Sequence, residues 1–237
     1  MGIIPTIDGS DLVVSEGLVG RWMGGVKGVP VLGTVRDLSS KGNDGTLVAD
    51  AFVNGDGLQL DGTGDYVEFS TVSANTGISQ NTKGSVTAWA KTSDSSYQTL
   101  FSMTSTTSNN RLVVFGFSSF SAYVQAYDNE EYNDLYKTTT TFTDGKWHHI
   151  AITSDATTWK IFVDGIDQPL VAVVGANNGK WFSSIGVTES TSPRIGYLNP
   201  TYTYYWNGTL SDTRIYNKAL VQSEISQIYN TTKWRHQ

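Results

Sequence analysis

The sequence predicts an all-β protein, an antiparallel β-sandwich with one short helix near its C-terminus. Two observations lead to this prediction. Apolar and polar residues alternate with a period of two from about residue 57 to residue 217, as they do in strands that bury one face. The 237 residues include 24 Gly, 12 Tyr, 9 Phe and 7 Trp, and only 16% are charged. That composition is typical of short strands joined by turns.

The strands are predicted in order along the chain, with turn residues about every ten positions. The clearest hairpin joins residues 147–153 to residues 159–163, and Asp164-Gly165 closes its second strand, because both residues tolerate the backbone angles of tight turns. Residues 111–115 and 122–127 form a second predicted antiparallel pair. The other strands are predicted at residues 58–60, 66–69, 85–90, 97–101, 194–197 and 210–216.

The C-terminal region has the one helical period of the sequence. Leu220, Ile225 and Ile228 are spaced to share one helix face, which predicts a helix of two turns. No Pro- or Ser-rich linker divides the chain, so we predict an N-terminal arm at residues 1–16 and one sandwich domain at residues 17–237.

The arm allows two interpretations. It is either a frayed terminus or added edge strand, or a docking segment, residues 1–15, that pairs with the sheet edge of a neighbouring subunit.

Charge and cysteine content exclude several classes of function. The 16 basic and 22 acidic residues give a net charge of −6, and the basic residues are scattered, so nucleic acid is not an expected partner. The chain has no Cys, which removes disulfides, thiolate nucleophiles and Cys-ligated metals. We expect neither a signal peptide, because the first residues have no basic region and no continuous apolar run, nor a membrane span, which requires roughly 18 apolar residues.

Four segments resemble the signature motifs of laminin-G-like domains, which have the concanavalin A-type jelly-roll fold. They lie at residues 17–22 with 37–47, 58–67, 144–151 with 162–165, and 206–220 with 224–225. The segments occur in the family's order, so the resemblance implies a jelly roll over most of the chain. Two positions depart from the pattern: Ser211 stands where the family often has an acidic residue, and Val221 where a Ser usually caps the helix.

Catalysis is not expected. Retaining β-glucanases that share this jelly roll need two carboxylates on one strand, in the same groove and about 5 Å apart. Glu130 and Glu131 are adjacent and are predicted to point to opposite faces, and Glu68 has no acidic neighbour two residues away. His148 and His149 are also adjacent on a predicted strand, so they cannot bind one metal ion together. We predict structural roles for both histidines.

The resemblance also raises the question of calcium, because jelly-roll relatives often hold one Ca²⁺ between backbone carbonyls and an Asp of the last strand. Oxygen-rich loops suit this ion, and the candidate ligands are Asp212, the carbonyl of Gly57, Asp61 and Asp65. Ser211 weakens the case, because a neutral hydroxyl attracts a cation less than a carboxylate does. The alternative is that these aspartates cap turns through their own backbone.

Two aromatic groups are candidate sugar-binding sites. Aromatic rings stack on the apolar faces of sugar rings, and polar side chains bind the hydroxyl groups. The alternative is that the rings close the ends of the sandwich or cover a subunit interface. The first group is Tyr202, Tyr204, Tyr205 and Trp206, and the second is Tyr127, Asn129 and Tyr132.

The resulting functional hypothesis is a non-catalytic, lectin-like adhesion module that binds a cell-surface or extracellular glycan, with a homo-oligomer as one possible form. The lack of a signal peptide, of disulfides and of a catalytic partner domain favours display on a phage particle as a capsid-decoration or tail protein, docked on capsid or tail proteins through residues 1–15. The alternatives are a structural virion or protein-docking protein without glycan binding, a glycoside hydrolase, and an extracellular or cytoplasmic bacterial protein.

Overall fold

The computed structural model describes residues 14–25, 29–69, 80–104, 111–118, 121–128, 131–185, 192–198 and 202–236. The strands in these ranges form two antiparallel sheets, with every pairing antiparallel. The all-β fold class predicted from the sequence is therefore confirmed.

The first sheet has eight described strands in the order β15-β14-β13-β7-β18-β5-β4, with β1 also paired to β18. Their bounds are β1 (Leu18–Trp22), β4 (Phe52–Asn54), β5 (Gly57–Asp61), β7 (Gly84–Lys91), β13 (Trp147–Ser154), β14 (Trp159–Val163), β15 (Ile166–Asp167) and β18 (Asn207–Tyr216).

The second sheet has ten described strands in the order β16-β12-β11-β10-β9-β17-β6-β3-β2, with β8 paired to β10. Their bounds are β2 (Thr34–Val35), β3 (Gly45–Val48), β6 (Tyr66–Glu68), β8 (Gln98–Thr99), β9 (Phe101–Thr104), β10 (Arg111–Ser118), β11 (Ser121–Asp128), β12 (Glu131–Thr141), β16 (Leu170–Val174) and β17 (Ser192–Ile195).

The main core lies between the inner faces of the two sheets. Alternation along β7 turns Val86, Ala88 and Ala90 inward, and Phe101 and Met103 of β9 meet them from the second sheet. Large aromatic rings complete this core, and its fully buried members include the tryptophans Trp159, Trp181 and Trp206. Burial of this much apolar surface is the main stabilising contribution to a sandwich of this kind.

The outer face of the first sheet is also covered. The helix α1 (Gln222–Thr232) lies over it, and Ile225 and Ile228 join Phe162 of β14 in a second apolar cluster. This helix has three turns, one more than the sequence predicts, and a one-turn 3-10 helix (Lys233–Arg235) follows it. The first sheet is therefore buried on both faces.

The local pairings predicted from the sequence are confirmed. In the predicted hairpin, Ile150 of β13 lies opposite Val163 of β14. In the second predicted pair, Leu112 of β10 lies opposite Ala126 of β11. β16, residues 170–174, is an edge strand of the second sheet that was not predicted from the sequence.

The predicted N-terminal arm lies mostly outside the described residues, which begin at Val14. Val14 is buried in the second apolar cluster, and its carbonyl accepts a hydrogen bond of 3.1 Å from the hydroxyl of Tyr216. No helix in the described ranges is both long enough and apolar enough to cross a membrane.

Candidate functional site

The described residues of the segment between β17 and β18, 196–198 and 202–206, lie against the second sheet. Two backbone hydrogen bonds of 2.9 Å hold its ends: the amide of Gly196 donates to Leu100, and the amide of Trp206 donates to Gly196. Leu198 packs on Tyr123 of β11, and Tyr202 and Tyr204 pack against the same pair. These described residues are thus fixed on the sheet.

Tyrosine rings gather where this segment meets the sheet. Tyr97 and Tyr204 stack with their ring centroids 5.2 Å apart, and Tyr202 lies 5.9 Å from Tyr204. The ring of Tyr97 is 49% exposed, and Tyr202 and Tyr204 are partly exposed. This group therefore presents aromatic ring surface to solvent beside phenol hydroxyl groups.

A second stack stands on the same sheet. The rings of Tyr197 and Tyr205 are nearly parallel with centroids 4.5 Å apart, and Tyr66 of β6 lies 4.9 Å from Tyr197. The guanidinium of Arg194 lies 5.6 Å from the ring centroid of Tyr197 and forms a 3.1 Å ion pair with Glu68. Polar groups that can bind hydroxyls therefore flank this stack.

The hydroxyl groups of Tyr66 and Tyr197 stay neutral at physiological pH. Burial, followed by the hydrogen bond to Tyr205, raises the pKa of Tyr197 far above its usual value. Burial and the nearby charge of Glu68 raise the pKa of Tyr66. A neutral phenol both donates and accepts hydrogen bonds, which suits a hydroxyl-rich ligand. We call the partly exposed rings of the two stacks the tyrosine surface: Tyr66, Tyr97, Tyr202, Tyr204 and Tyr205. Tyr197 is only 6% exposed and packs against Tyr66 and Tyr205.

One member of the first predicted aromatic group does not belong to this surface. The structure brings Tyr202, Tyr204 and Tyr205 together, but Trp206 is fully buried in the main core, so the prediction that it offers a ring to a sugar is wrong. Alternation along β18 explains this, because Trp206 has the same parity as the buried Leu210. Parity alone could not have identified Trp206 as a core residue from the sequence, because the register of β18 shifts between Ser211 and Arg214, and Ile215, of the opposite parity, is also in the core.

The second predicted aromatic group is not assembled as an exposed site. Tyr127 is only 7% exposed, so its ring is not the accessible platform that the sequence predicted. Tyr132 lies opposite Tyr127 in the pairing of β11 and β12. Asn129 lies outside the described residues, as does the side chain of Tyr132.

Two of the predicted calcium ligands do come together. Carboxylate oxygens of Asp50, Asp61 and Asp65 all lie within 4.8 Å of one another. The oxygens of Asp65, however, accept hydrogen bonds from the backbone amides of Asp50 and Asp61, at 3.1 and 3.2 Å, and burial raises the pKa of Asp65. These contacts are the turn-capping arrangement that was the alternative to calcium, and calcium binding stays a prediction.

Asp212 is not available to a calcium ion. Its buried carboxylate binds Arg21 at 2.7 Å and Arg214 at 2.6 Å, so two guanidinium groups already occupy its oxygens. Gly57, the other predicted ligand, has a backbone φ of 142° and packs so closely on β18 that a Cβ atom there would lie 2.3 Å from the carbonyl oxygen of Leu210. The predicted ligand set is therefore wrong in including Asp212.

The two adjacent histidines point to opposite faces of β13, as predicted. His148 lies between two carboxylates, with its ring nitrogens 2.8 Å from Asp164 and 3.2 Å from Asp144, and the hydrogen bond to Asp164 raises its pKa. His149 is buried against Trp89, and burial lowers its pKa to about 3. They cannot chelate one ion together.

Comparison with known proteins identifies the family of this fold. A family model described as the concanavalin A-like lectin/glucanases superfamily, Laminin_G_3, matches residues 61–226. The chain belongs to this superfamily. No curated protein sequence matches it.

Solved structures of the concanavalin A-like type share the fold at low sequence identity. The receptor binding domain of botulinum neurotoxin C/D mosaic serotype is 15% identical with a TM-score of 0.64, and the comparison covers 92% of this chain and 52% of that one. The botulinum neurotoxin serotype D binding domain is 16% identical with a TM-score of 0.62. The comparison covers 91% of this chain and 52% of that one. This chain thus spans about half the length of those toxin domains.

A third solved structure matches this chain over nearly the whole length of both proteins. It is domain 4 of AbnA, a GH43 extracellular arabinanase from Geobacillus stearothermophilus, in complex with arabinotriose. It is 17% identical with a TM-score of 0.56, and the comparison covers 90% of this chain and 98% of that one. At this identity, these likenesses establish the shared fold.

Proposed function

We propose that the protein is a non-catalytic carbohydrate-binding module and that the tyrosine surface holds the glycan. The observation that carries this proposal is the stacking of Tyr97 with Tyr204, in which one ring remains about half exposed. Stacked aromatic rings give a rigid apolar platform at little cost in conformational entropy. Such a platform matches the apolar face of a sugar ring.

The polar groups around the tyrosine surface supply the second half of sugar recognition. The side chain of Glu68 is 37% exposed, so its carboxylate can accept hydrogen bonds from sugar hydroxyls while it remains paired with Arg194. The neutral hydroxyl of Tyr66 can donate or accept, whereas Tyr197 is buried and its hydroxyl is hydrogen-bonded to Tyr205. Because Arg194 is already paired, we expect the ligand to be a neutral sugar rather than an anionic one.

The fold neighbours support a sugar ligand. One of them is a domain whose structure contains arabinotriose, and others are receptor-binding domains of toxins. A similar fold in sugar-bound and receptor-binding proteins makes glycan binding the function to test first here.

The test is a glycan array with the full chain, run with calcium and again with a chelator. We expect saturable binding, and Tyr97→Ala to weaken it by about tenfold, since an aromatic contact of this kind contributes up to about 1.5 kcal/mol. Trp234→Ala is the matched control, because Trp234 is 66% exposed and lies at the end of the C-terminal helix. A loss of binding with the chelator would support calcium at Asp50, Asp61 and Asp65.

The second candidate is a protein-docking role without a glycan, for which the half-exposed tyrosines would form the contact. Display on a phage particle, with residues 1–15 as the docking segment, belongs with this candidate but is compatible with glycan binding as well. A blank array in both conditions would favour this role. Turnover of any polysaccharide by the pure protein would instead favour a hydrolase and contradict the non-catalytic proposal.

A further inference from the structure

A groove of about 220 Å³ opens on the first sheet, beside the start of helix α1. Thr153 of β13 and Lys160 of β14 lie opposite each other in the strand pairing, and both line the groove together with Phe162. The segment 219–222, which leads into the helix, lines one side, and Asp155 of the turn between the two strands lines another. The tyrosine surface belongs to the other sheet, so this groove is a separate site.

The hydroxyl group of Thr153 has no partner in this groove. Thr153 is only 5% exposed, yet within the described ranges its hydroxyl makes no hydrogen bond. The oxygen is not sealed in the core either, and Thr153 lines the groove. Buried hydroxyls in folded proteins are nearly always hydrogen-bonded, because an unmade bond costs free energy. This hydroxyl is therefore available to a ligand that enters the groove.

The first turn of helix α1 adds a second free donor. Val221, the N-cap residue, gives the helix no side-chain acceptor. In the described part of the chain, the backbone amide of Gln222 also has no hydrogen-bond partner. Both residues line the groove. Free amides at the start of a helix carry partial positive charge, so they favour an acceptor with negative charge.

Lys160 brings a full positive charge to the groove. Its Nζ atom lies 3.2 Å from a carboxylate oxygen of Asp167. The two side chains are 55% and 42% exposed, and an ion pair as exposed as this one contributes little. Lys160 can therefore exchange Asp167 for a carboxylate in the groove at little cost.

The acidic groups near the groove limit the charge of the ligand. Asp155 stands at the rim, where its Oδ1 atom accepts hydrogen bonds from Thr157 and Thr158 of its own turn. Glu224 of the first helical turn is paired with Lys218 at 2.7 Å. Because Lys160 is opposed by Asp155, the groove suits a ligand with one negative charge better than a ligand with two.

The rest of the lining is apolar. Leu220 and Phe162 belong to the second apolar cluster, which underlies the groove, and Val221 is 58% exposed at its rim. Binding pockets with such a lining favour an apolar group on the ligand, while a few polar groups fix its orientation. The volume of the groove admits only a small molecule.

We propose that this groove binds a small monocarboxylate with a short apolar chain. The carboxylate accepts hydrogen bonds from the Thr153 hydroxyl and the Gln222 amide and pairs with Lys160. The apolar chain contacts Val221 and Leu220. This site goes beyond the proposed glycan function and does not depend on it.

The test is a titration of the full chain with sodium butyrate, followed by two-dimensional ¹H–¹⁵N NMR spectroscopy, with sodium chloride holding the ionic strength constant. We expect saturable shifts of the amide signals of Thr153, Gln222 and Ser223. Butyramide has the same chain without the charge, and we expect it to cause no saturable shift. The same spectra show whether each variant below is folded.

The variant Thr153→Val keeps the size of the side chain and removes the hydroxyl. We expect it to weaken butyrate binding about tenfold, as the loss of a hydrogen bond to a charged group does, and Lys160→Met to weaken it as well. Lys146→Met is the matched control, because the Lys146 side chain is 79% exposed and lies outside the groove. It should bind butyrate as the natural sequence does.

The variant Asp155→Asn tests the sign of the ligand charge. Asparagine can still accept the hydrogen bonds of the turn, but it removes the negative charge at the rim. We expect butyrate binding to become about threefold stronger, which is the size of effect that exposed charges have.

The proposal is overturned if butyrate causes no saturable shift, or if both Thr153→Val and Lys160→Met bind it as the natural sequence does. Weaker binding by Asp155→Asn would also overturn it, since the groove would then favour a positive group. Inorganic phosphate that binds more tightly than butyrate would contradict the monocarboxylate assignment. Glycan binding measured on the same variants should stay unchanged, so failure of this site is distinguishable from failure of the proposed function.

Discussion

Asp212 holds two arginines in a region that water does not reach. Arg21, Asp212 and Arg214 are each at most 2% exposed. Burial alone would raise the pKa of Asp212, but Arg214 and Arg21 outweigh it and hold this pKa well below its usual range. Residue 212 also has a backbone φ of 47°, a left-handed conformation that Asp and Asn tolerate better than most residues do.

The variant Asp212→Asn therefore tests the charge alone, because asparagine keeps the size of the side chain and accepts the backbone conformation. We expect a loss of about 3–5 kcal/mol in the free energy of unfolding, since two buried guanidinium groups lose their carboxylate. Urea denaturation measures this loss. The control Asp167→Asn, at an exposed pair with Lys160, should cost no more than about 1 kcal/mol; equal losses in both variants would contradict the role of Asp212.

The buried His149 and the half-buried His236 should make the protein sensitive to acid. Burial lowers the pKa of His149 to about 3 and that of His236 to about 4, both below the usual 6.5 of the unfolded chain. The unfolded state therefore binds more protons as the pH falls from 6.5 towards 3, and the stability present above pH 6.5 is lost over that range. Arg214, Asp212, Asp164 and His236 are the other ionisable groups that act on His149.

The variant His149→Phe should lose less stability in acid than the natural sequence. Between pH 7.5 and pH 5, we expect the difference to be about 2 kcal/mol in the free energy of unfolding. Urea denaturation at both pH values measures it. His148 acts in the opposite direction: its raised pKa gives stability that is present below pH 6.5 and lost as the pH rises, so an unchanged acid response in His149→Phe would contradict the prediction for His149.

At the scale of elements, the C-terminal helix begins without a side-chain cap. Val221 is the N-cap residue, with φ −86° and ψ 163°, and it offers no acceptor to the first turn. Glu224 supplies only the reverse half of a capping box, because its carboxylate accepts a 3.0 Å hydrogen bond from the amide of Val221. The missing cap was predicted from the family resemblance, because Val221 stands three residues before Glu224 where a capping Ser is usual.

The variant Val221→Ser should stabilise the protein by about 1 kcal/mol, because the serine hydroxyl can accept a hydrogen bond from the amide of the first helical turn. The side chain of Val221 is 58% exposed, so little apolar burial is lost. Thermal unfolding measures the gain. Val221→Ala is the control and should give none; a gain as large in the alanine variant would indicate that relief of valine exposure, not capping, is the cause.

Elements with local signals could be predicted from the sequence, and elements defined by distant partners could not. The hairpin of β13 and β14 was predictable because alternation and the Asp164-Gly165 turn lie close together. β16 was missed because an edge strand with both faces exposed lacks a polar and apolar alternation. The burial of Asp212 depends on Arg21, 191 positions away, and no local pattern reveals that pairing.

At the scale of the whole molecule, the C-terminal region is part of the domain and not an appendage. Ile225 and Ile228 cover the first sheet, and Thr232 accepts a 2.9 Å hydrogen bond from the indole of Trp89. Removal of residues 219–237 would expose this apolar face together with the buried His149. The sequence predicted the domain to extend to residue 237.

We therefore expect the chain that ends at Lys218 to lose cooperative unfolding and to aggregate, as judged by tryptophan fluorescence and size-exclusion chromatography. Deletion of residues 1–13 is the matched control, and it should leave a folded protein because Val14 remains to fill its place in the second cluster. A cooperative transition in the shortened C-terminal variant, at the midpoint of the full chain, would contradict this prediction.

The candidate site was predictable only in part. Tyr202, Tyr204 and Tyr205 are close in sequence, so their clustering was evident. Tyr66 and Tyr97 come from distant strands and loops, and only the fold brings them beside the other three.

The segment between β17 and β18 is anchored at both ends, and this affects which of its positions can be substituted without loss of stability. Gly196 and Trp206 tie its ends to the core, and positions 202–205 lie between these anchors with partial exposure. Under the proposed function, substitutions at those positions would change the ligand-contacting surface while the framework keeps its stability. Chains that share this frame could then differ in ligand preference through a few substitutions, each of which leaves the protein folded.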